Sequence, residues 1–233
     1  MDYRPRLSSR YKEAIKHLTK PERKILIIGD LHCPFEHPDY FNHCLKAYDL
    51  FGCNQVMFIG DILDAHASSR WESNPDGYSP QNELELAIQH VEKWKKAFPV
   101  ADVVIGNHDR IVMRKAFTGA IPSVWIKSYN EVLGTNWNWV NRVEYDGVQY
   151  IHGEGSTART RAKNDMQSTV QGHRHTEMET VHMFGKEHIW SMQTGCGIDA
   201  TTYAMAYAKD YKKPALGCGI VLGGKIAFNY PML

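Results

Sequence analysis

Apolar residues in the first half of the chain fall into short unbroken runs, and each run stops at small and polar residues. The runs are KILIIGD over 24–30, QVMFIGD over 55–61 and VADVVIGNHD over 100–109. Runs of this length read as strands buried on both faces. Between the first two lies PDYFNHCLKAYDLFG, and between the second and third lies NELELAIQHVEKWKKAF; both space their apolar positions as helices do. The second half is richer in strand patterns. NWVNRVEYDGVQYIHG carries Asp146-Gly147, a hairpin-turn pair. TVQGHRH, ETVHMFGKEHIWSMQTG and GIVLGGKIAFNY follow, with turns expected at Gly185 and at Gly223-Gly224. This order predicts an α/β fold: an αββα sandwich of two mixed sheets flanked by helices. Residues 1–23 are expected to form a basic helical arm, capped by Ser8 or Ser9 and ended by Pro21. Residues 24–233 are expected to form one domain. The turn-rich stretch AHASSRWESNPDGYSPQ, 65–81, is long enough to be a wall of a binding site.

Composition narrows the class. The 233 residues are 43% hydrophobic and 23% charged, which suits a folded domain with a sizeable core. A net charge of +1 does not favour nucleic acid as a partner. No run approaches the roughly 20 apolar residues of a membrane span, and the polar start shows no signal peptide. The cysteines, Cys33, Cys44, Cys53, Cys196 and Cys218, are odd in number and scattered, so no disulfide framework is expected. A cytoplasmic protein is the expectation. Twelve histidines are many for this length, and histidine is the commonest metal ligand.

The polar residues at the run ends carry the chemistry. Run one ends in Gly29-Asp30-Leu31-His32, run two in Gly60-Asp61-Ile62-Leu63-Asp64, and run three in Gly106-Asn107-His108-Asp109. Later runs end in His152-Gly153 and Gly172-His173-Arg174-His175. The carboxyl ends of strands border the ligand crevice in open α/β sheets. Alone, each piece has a plain structural reading: GNHD as a tight turn, GHRH as two satisfied histidines, Gly60-Asp61 as a cap. Five in order, each after an apolar run, point instead to one site. Carboxylate, imidazole and one amide oxygen suit borderline divalent metals such as Mn, Fe, Zn or Co.

GDLH, GDILD, GNHD, a single His before Gly, and GHRH together resemble the signature of the calcineurin-like metallophosphoesterase family, over residues 29–175. The resemblance implies two divalent ions, Mn favoured. The first would be held by Asp30, His32, Asp61 and His175, and the second by Asp61, Asn107, His152 and His173, with Asp61 bridging. It implies hydrolysis of phosphate esters by a hydroxide held between the metals, with His108 at the substrate protonating the departing oxygen. Asp109 is expected to accept the other imidazole N–H of His108 and orient it. Protein phosphatases of the family carry Arg-Gly after the final Asp of the second motif. Here Ala65-His66 follows Asp64, so the expectation leans to phosphodiesters or nucleotide-like small molecules. His66, Arg70 and Arg110, with Arg174, are candidate substrate contacts. A DNA nuclease of the repair type and a non-catalytic metal-bound scaffold are the competing functions. The basic segment GEGSTARTRAKNDM, 153–166, is expected to form a short helix started by Ser156 or Thr157. Cys196 and the aromatics Trp137, Trp139, Tyr145 and Tyr150 are expected to be packing residues.

Overall fold

The computed structural model describes residues 22–69, 75–202 and 213–233. The expected N-terminal arm therefore lies outside the described residues, apart from its last two positions. Strands β1 (Lys24–Ile28), β2 (Gln55–Phe58) and β3 (Asp102–Val104) form from the three apolar runs, the third shorter than its run. They pair in parallel, and β4 (Asn138–Val140) adds in parallel beyond β3. On the other side of β1 stand β10 (Gly217–Leu222), antiparallel to β1, and β11 (Ile226–Pro231), antiparallel to β10, giving the order β11-β10-β1-β2-β3-β4. The second sheet holds β5 (Arg142–Tyr145), β6 (Val148–Ile151), β7 (Ser168–Gln171), β8 (Met178–Phe184) and β9 (His188–Thr194). Its order is β5-β6-β7-β9-β8, parallel in the middle and antiparallel at both edges. Both sheets are mixed, as expected.

β1 shows why its run is unbroken. Leu26 and Ile28 face the helical side, with Cys44 and Trp94. Ile25 and Ile27 face the second sheet, with Tyr150, Trp190 and Met192. Helix α1 (Tyr40–Leu50) contributes Tyr40, Cys44 and Ala47 to the helical side. Helix α2 (Pro80–Ala97) contributes Ala87, Val91 and Trp94, a stripe at helical spacing. It opens at Pro80, inside the stretch expected as loop, because the Ser79 hydroxyl accepts the Asn82 N–H and proline suits the first turn. Three shorter helices follow: α3 (Ile111–Thr118), α4 (Tyr129–Leu133) and α5 (Ala158–Asp165). Thr157 caps α5, which packs on β7 and β9. Among the described residues no helix is long and apolar enough to cross a membrane.

The hairpin at Asp146-Gly147 forms as expected, with φ of 53° and 79°. One residue, Asn141, separates β4 in the first sheet from β5 in the second. Trp137 packs on the helical side, and Tyr150 between the sheets.

Candidate metal centre

The ends of β1, β2, β3, β6 and β7 meet at one point, and backbone hydrogen bonds lock their loops together. The N–H groups of Leu31 and His32 both donate to the Asp61 carbonyl, at 3.0 and 2.9 Å. Cys33 N–H donates to Ile62, and Asp64 N–H donates back to Cys33. His32, Asp61 and His173 adopt left-handed backbone, with φ of 54°, 49° and 68°. A non-glycine residue costs of order 1–3 kcal/mol in such a conformation, which persists where the surroundings over-determine it. Gly60 and Gly106 make the approach possible. Gly60 has φ of 110°, and a Cβ on Gly106 would collide with the Asp61 carboxylate.

Three imidazoles are held in one orientation. His32 Nδ1 lies 2.5 Å from Asp64 Oδ1, a carboxylate that can only accept, so Nδ1 carries the proton and Nε2 is left bare. His152 Nδ1–H donates to the Ile59 carbonyl at 2.9 Å, and His108 Nδ1–H to the Asp64 carbonyl at 2.6 Å. With Nδ1 committed, the Nε2 atoms of His32 and His152 point into the acidic centre. His32 Nε2 lies 3.2 Å from His175 Nε2 and 3.6 Å from Asp61 Oδ2. His152 Nε2 lies 3.2 Å from Asp61 Oδ2 and 2.9 Å from Asn107 Oδ1. Asp61 Oδ2 thus faces one ring of each group. Asp30 Oδ2 accepts the His173 N–H at 2.9 Å and lies 3.0 Å from His175 Nε2. Asp30 Oδ1 and Asp61 Oδ2 are buried with no hydrogen-bond partner.

Buried carboxylate oxygens with no hydrogen bond are costly unless a cation answers them. Two sets have the right reach: Asp30, His32, Asp61 and His175, and Asp61, His152 and His173, with atoms in each within 4.8 Å of one another. The donors fit borderline divalent ions. Asn107 adds its amide oxygen to the second set.

The field is uneven. Burial works against the Asp61 carboxylate, but His152, His108 and His32 hold it well below the usual carboxylate range. Burial likewise opposes a charge on His152, yet Asp61 and Asp30 raise it to about 10. His32 is pushed down by burial and by His108 beside it. His108 is raised by Asp61 and Asp64 against its own burial.

The expected pairing of Asp109 with His108 does not form. Asp109 folds back within its own turn, where its carboxylate accepts the Gly106 N–H at 2.9 Å and the Leu63 N–H at 3.1 Å. It staples the second and third loops together. Its burial, then the nearby Asp61, raises it to about 6. Asp64 takes the orienting place, with its carboxylate 3.4 Å from His108 Nδ1 as well as on His32. The repeat of Asp three residues after Asp61 in GDILD was the signal for it. His66 sits in a short 3-10 turn, His66–Ser68, just past Asp64, and acts on Asp64 electrostatically. Arg70 lies outside the described residues. Arg110 is held by Glu154 at 2.8 Å and the Ile105 carbonyl at 3.0 Å, and Arg174 pairs with Glu177. Cys196 is fully buried, and that burial raises its thiol.

Residues 23–206 match the family model described as calcineurin-like phosphoesterase. Several solved structures are similar at low identity. Vacuolar protein sorting 29 of Cryptosporidium parvum is 14% identical, with a TM-score of 0.47 over 91% of this chain and 100% of that one. The phosphoesterase YfcE of E. coli is 14% identical, with a TM-score of 0.41 over 84% of this chain and 87% of that one. The Pseudomonas putida nuclease MPE is 14% identical, with a TM-score of 0.40 over 88% and 87%. No curated protein matches the sequence.

Proposed function

Because the chain belongs to the calcineurin-like phosphoesterase family, we propose that it is a hydrolase of phosphodiesters or nucleotide-like phosphate esters that works with two divalent cations. The observation that carries this reading is the shared orientation of His32, His152 and His108, each pinned at Nδ1. Asp30, His32, Asp61 and His175 would hold one cation. Asp61, Asn107, His152 and His173 would hold the other. Asp61 Oδ2, between His32 and His152, suits a bridging role. Bound there, the cations supply charge to phosphate oxygens and make water acidic enough to ionise near neutral pH.

The chain's own residues supply the rest. His108 keeps a proton on Nδ1 through the Asp64 carbonyl, and the carboxylates of Asp61 and Asp64 raise its affinity for a second. At 25% exposure its ring borders solvent, so Nε2–H can donate to a departing alkoxide oxygen. Asp64 is a positioning residue, shared by His32 and His108. The diester lean rests on charge. Ala65 and His66 follow Asp64 where a second arginine would serve a dianion, and Arg110 is already held by Glu154.

The test is a substrate panel with Mn²⁺-loaded protein: bis-p-nitrophenyl phosphate, p-nitrophenyl phosphate and cyclic nucleotides. Faster turnover of the diester is expected. Preference for the monoester overturns the diester lean, and no turnover at all with metal demonstrably bound overturns the hydrolase.

A further inference from the structure

Helix α3 has two apolar stripes, and only one is buried. Ile111 and Ala116 are buried. Met113 and Phe117, on another face, are 38% and 85% exposed. Four residues on, Ile121 is also 48% exposed. A bare phenylalanine ring four residues from a methionine on the same helical face is a surface made to be covered. Beneath it runs a cleft of about 660 Å³, lined by Met113, Phe117, Ile121 and Ile126 on its apolar side and by Arg110, Arg114 and Glu154 on its polar side. Asn107, the amide donor of the candidate metal centre, lines the same cleft. The apolar surface is therefore continuous with the site where the phosphate would sit.

We infer that this α3 cleft is a subsite for the nucleoside part of a nucleotide-type phosphodiester, with its base stacked on Phe117. The inference rests on the hydrolase reading above for its phosphate, and names the group attached to that phosphate. Three features select a nucleoside over an alkyl chain. The volume is that of a small-ligand pocket rather than a long channel. Phe117 offers a free ring face, and base–aromatic stacking needs no particular base. The rim is polar: Glu154 is fixed by Arg110, while the Arg114 guanidinium has no partner among the described residues. A base has edges to match those groups, and an acyl chain has none. The Arg114 charge also suits an anionic ligand.

Two esters sharing one leaving group separate the subsite from the chemistry: p-nitrophenyl thymidine 5′-phosphate and methyl p-nitrophenyl phosphate. With Mn²⁺ bound, the thymidine ester should have the lower KM. Phe117→Ala should raise that KM by roughly tenfold, the scale of one base–aromatic stack. The methyl ester should change by less than about twofold, and Phe117→Trp should restore the thymidine ester. Calorimetry with thymidine 5′-monophosphate gives a readout besides turnover of the two esters. Its affinity should fall by the same factor in Phe117→Ala, and fall in Arg114→Gln with a weaker dependence on salt. Binding that depends on Phe117 without hydrolysis of either ester would overturn the hydrolase and leave the subsite standing. Equal KM for the two esters, or a thymidine ester indifferent to Phe117, overturns the subsite. So does a Phe117→Ala variant whose only change is its sedimentation, because the patch would then be a contact between copies of the chain.

Discussion

Replacing Asp64 by asparagine separates charge from shape at the centre of the site. The side chain is 2% exposed, and Oδ1 lies 2.5 Å from His32 Nδ1 and 3.4 Å from His108 Nδ1. Asparagine keeps the volume, and its amide oxygen still accepts the His32 N–H. Only the negative charge is lost. Removing a partner of this kind lowers metal affinity about 10–100-fold. At about 1.4 kcal/mol per decade that is roughly 1.4–2.8 kcal/mol. A hydrogen bond to a charged group contributes about 1.5–3 kcal/mol and one between neutral groups about 0.5–1.5 kcal/mol, so loss of the charge alone amounts to roughly 1–1.5 kcal/mol, the lower end of that range. Mn²⁺ calorimetry on Asp64→Asn should therefore show one site weakened roughly tenfold, with the circular dichroism spectrum unchanged. The pH profile should move as well. Asp64 helps raise His108, so its loss lowers that pKa, and the alkaline limb of kcat/KM should shift to lower pH. Mn²⁺ affinity within twofold of wild type and an unmoved alkaline limb would refute the positioning role.

Four further outcomes follow from the geometry. His108→Asn should keep Mn²⁺ and lose roughly 10²–10⁴-fold in kcat, the scale of acid–base assistance, and full activity on an ester with a poor leaving group would remove His108 from the mechanism. Asp61→Asn should lose metal and activity together, since Asp61 Oδ2 faces His32 and His152 at once; calorimetry beside an activity assay checks this. Gly106→Ala drives a methyl into the Asp61 carboxylate and backbone. It should cost about 1–3 kcal/mol or more and lower Tm by at least about 2 °C, whereas an unchanged Tm would mean the two loops yield freely. For chelator-treated protein, His152 titrates near 10 when folded against an ordinary 6.5. Its contribution to stability is full below 6.5 and is lost as pH rises towards 10, so the urea midpoint should be lower at pH 9 than at pH 6.

The strand ends were legible because burial on both faces leaves little room for polar residues until the chain leaves the sheet. Asp30, Asp61, Asn107, His152, His173 and His175 stood out for that reason, and the structure brings all six together with His32. The partner of His108 was less legible. Asp109 is adjacent in sequence, but its turn points it at Gly106, and Asp64 arrives from another loop. Sequence adjacency does not reveal which way a turn aims a carboxylate. The passage from β4 to β5 was hidden for a similar reason. Two strand-like segments one residue apart, around Asn141, look like a single bent strand, yet they join different sheets. The α3 stripe was also hard to assign, because Met113 and Phe117 have the spacing of core residues, and only their exposure shows that they face away from it.

The hydrogen bonds from Leu31 and His32 to Asp61, from Cys33 to Ile62, and from Asp64 to Cys33 have a consequence for timing. They hold the first two loops in register through backbone alone. A site assembled this way has little left to arrange when an ion arrives. Loading should then be a single fast bimolecular step, linear in ion concentration in a stopped-flow trace, rather than one that levels off at a slow rearrangement.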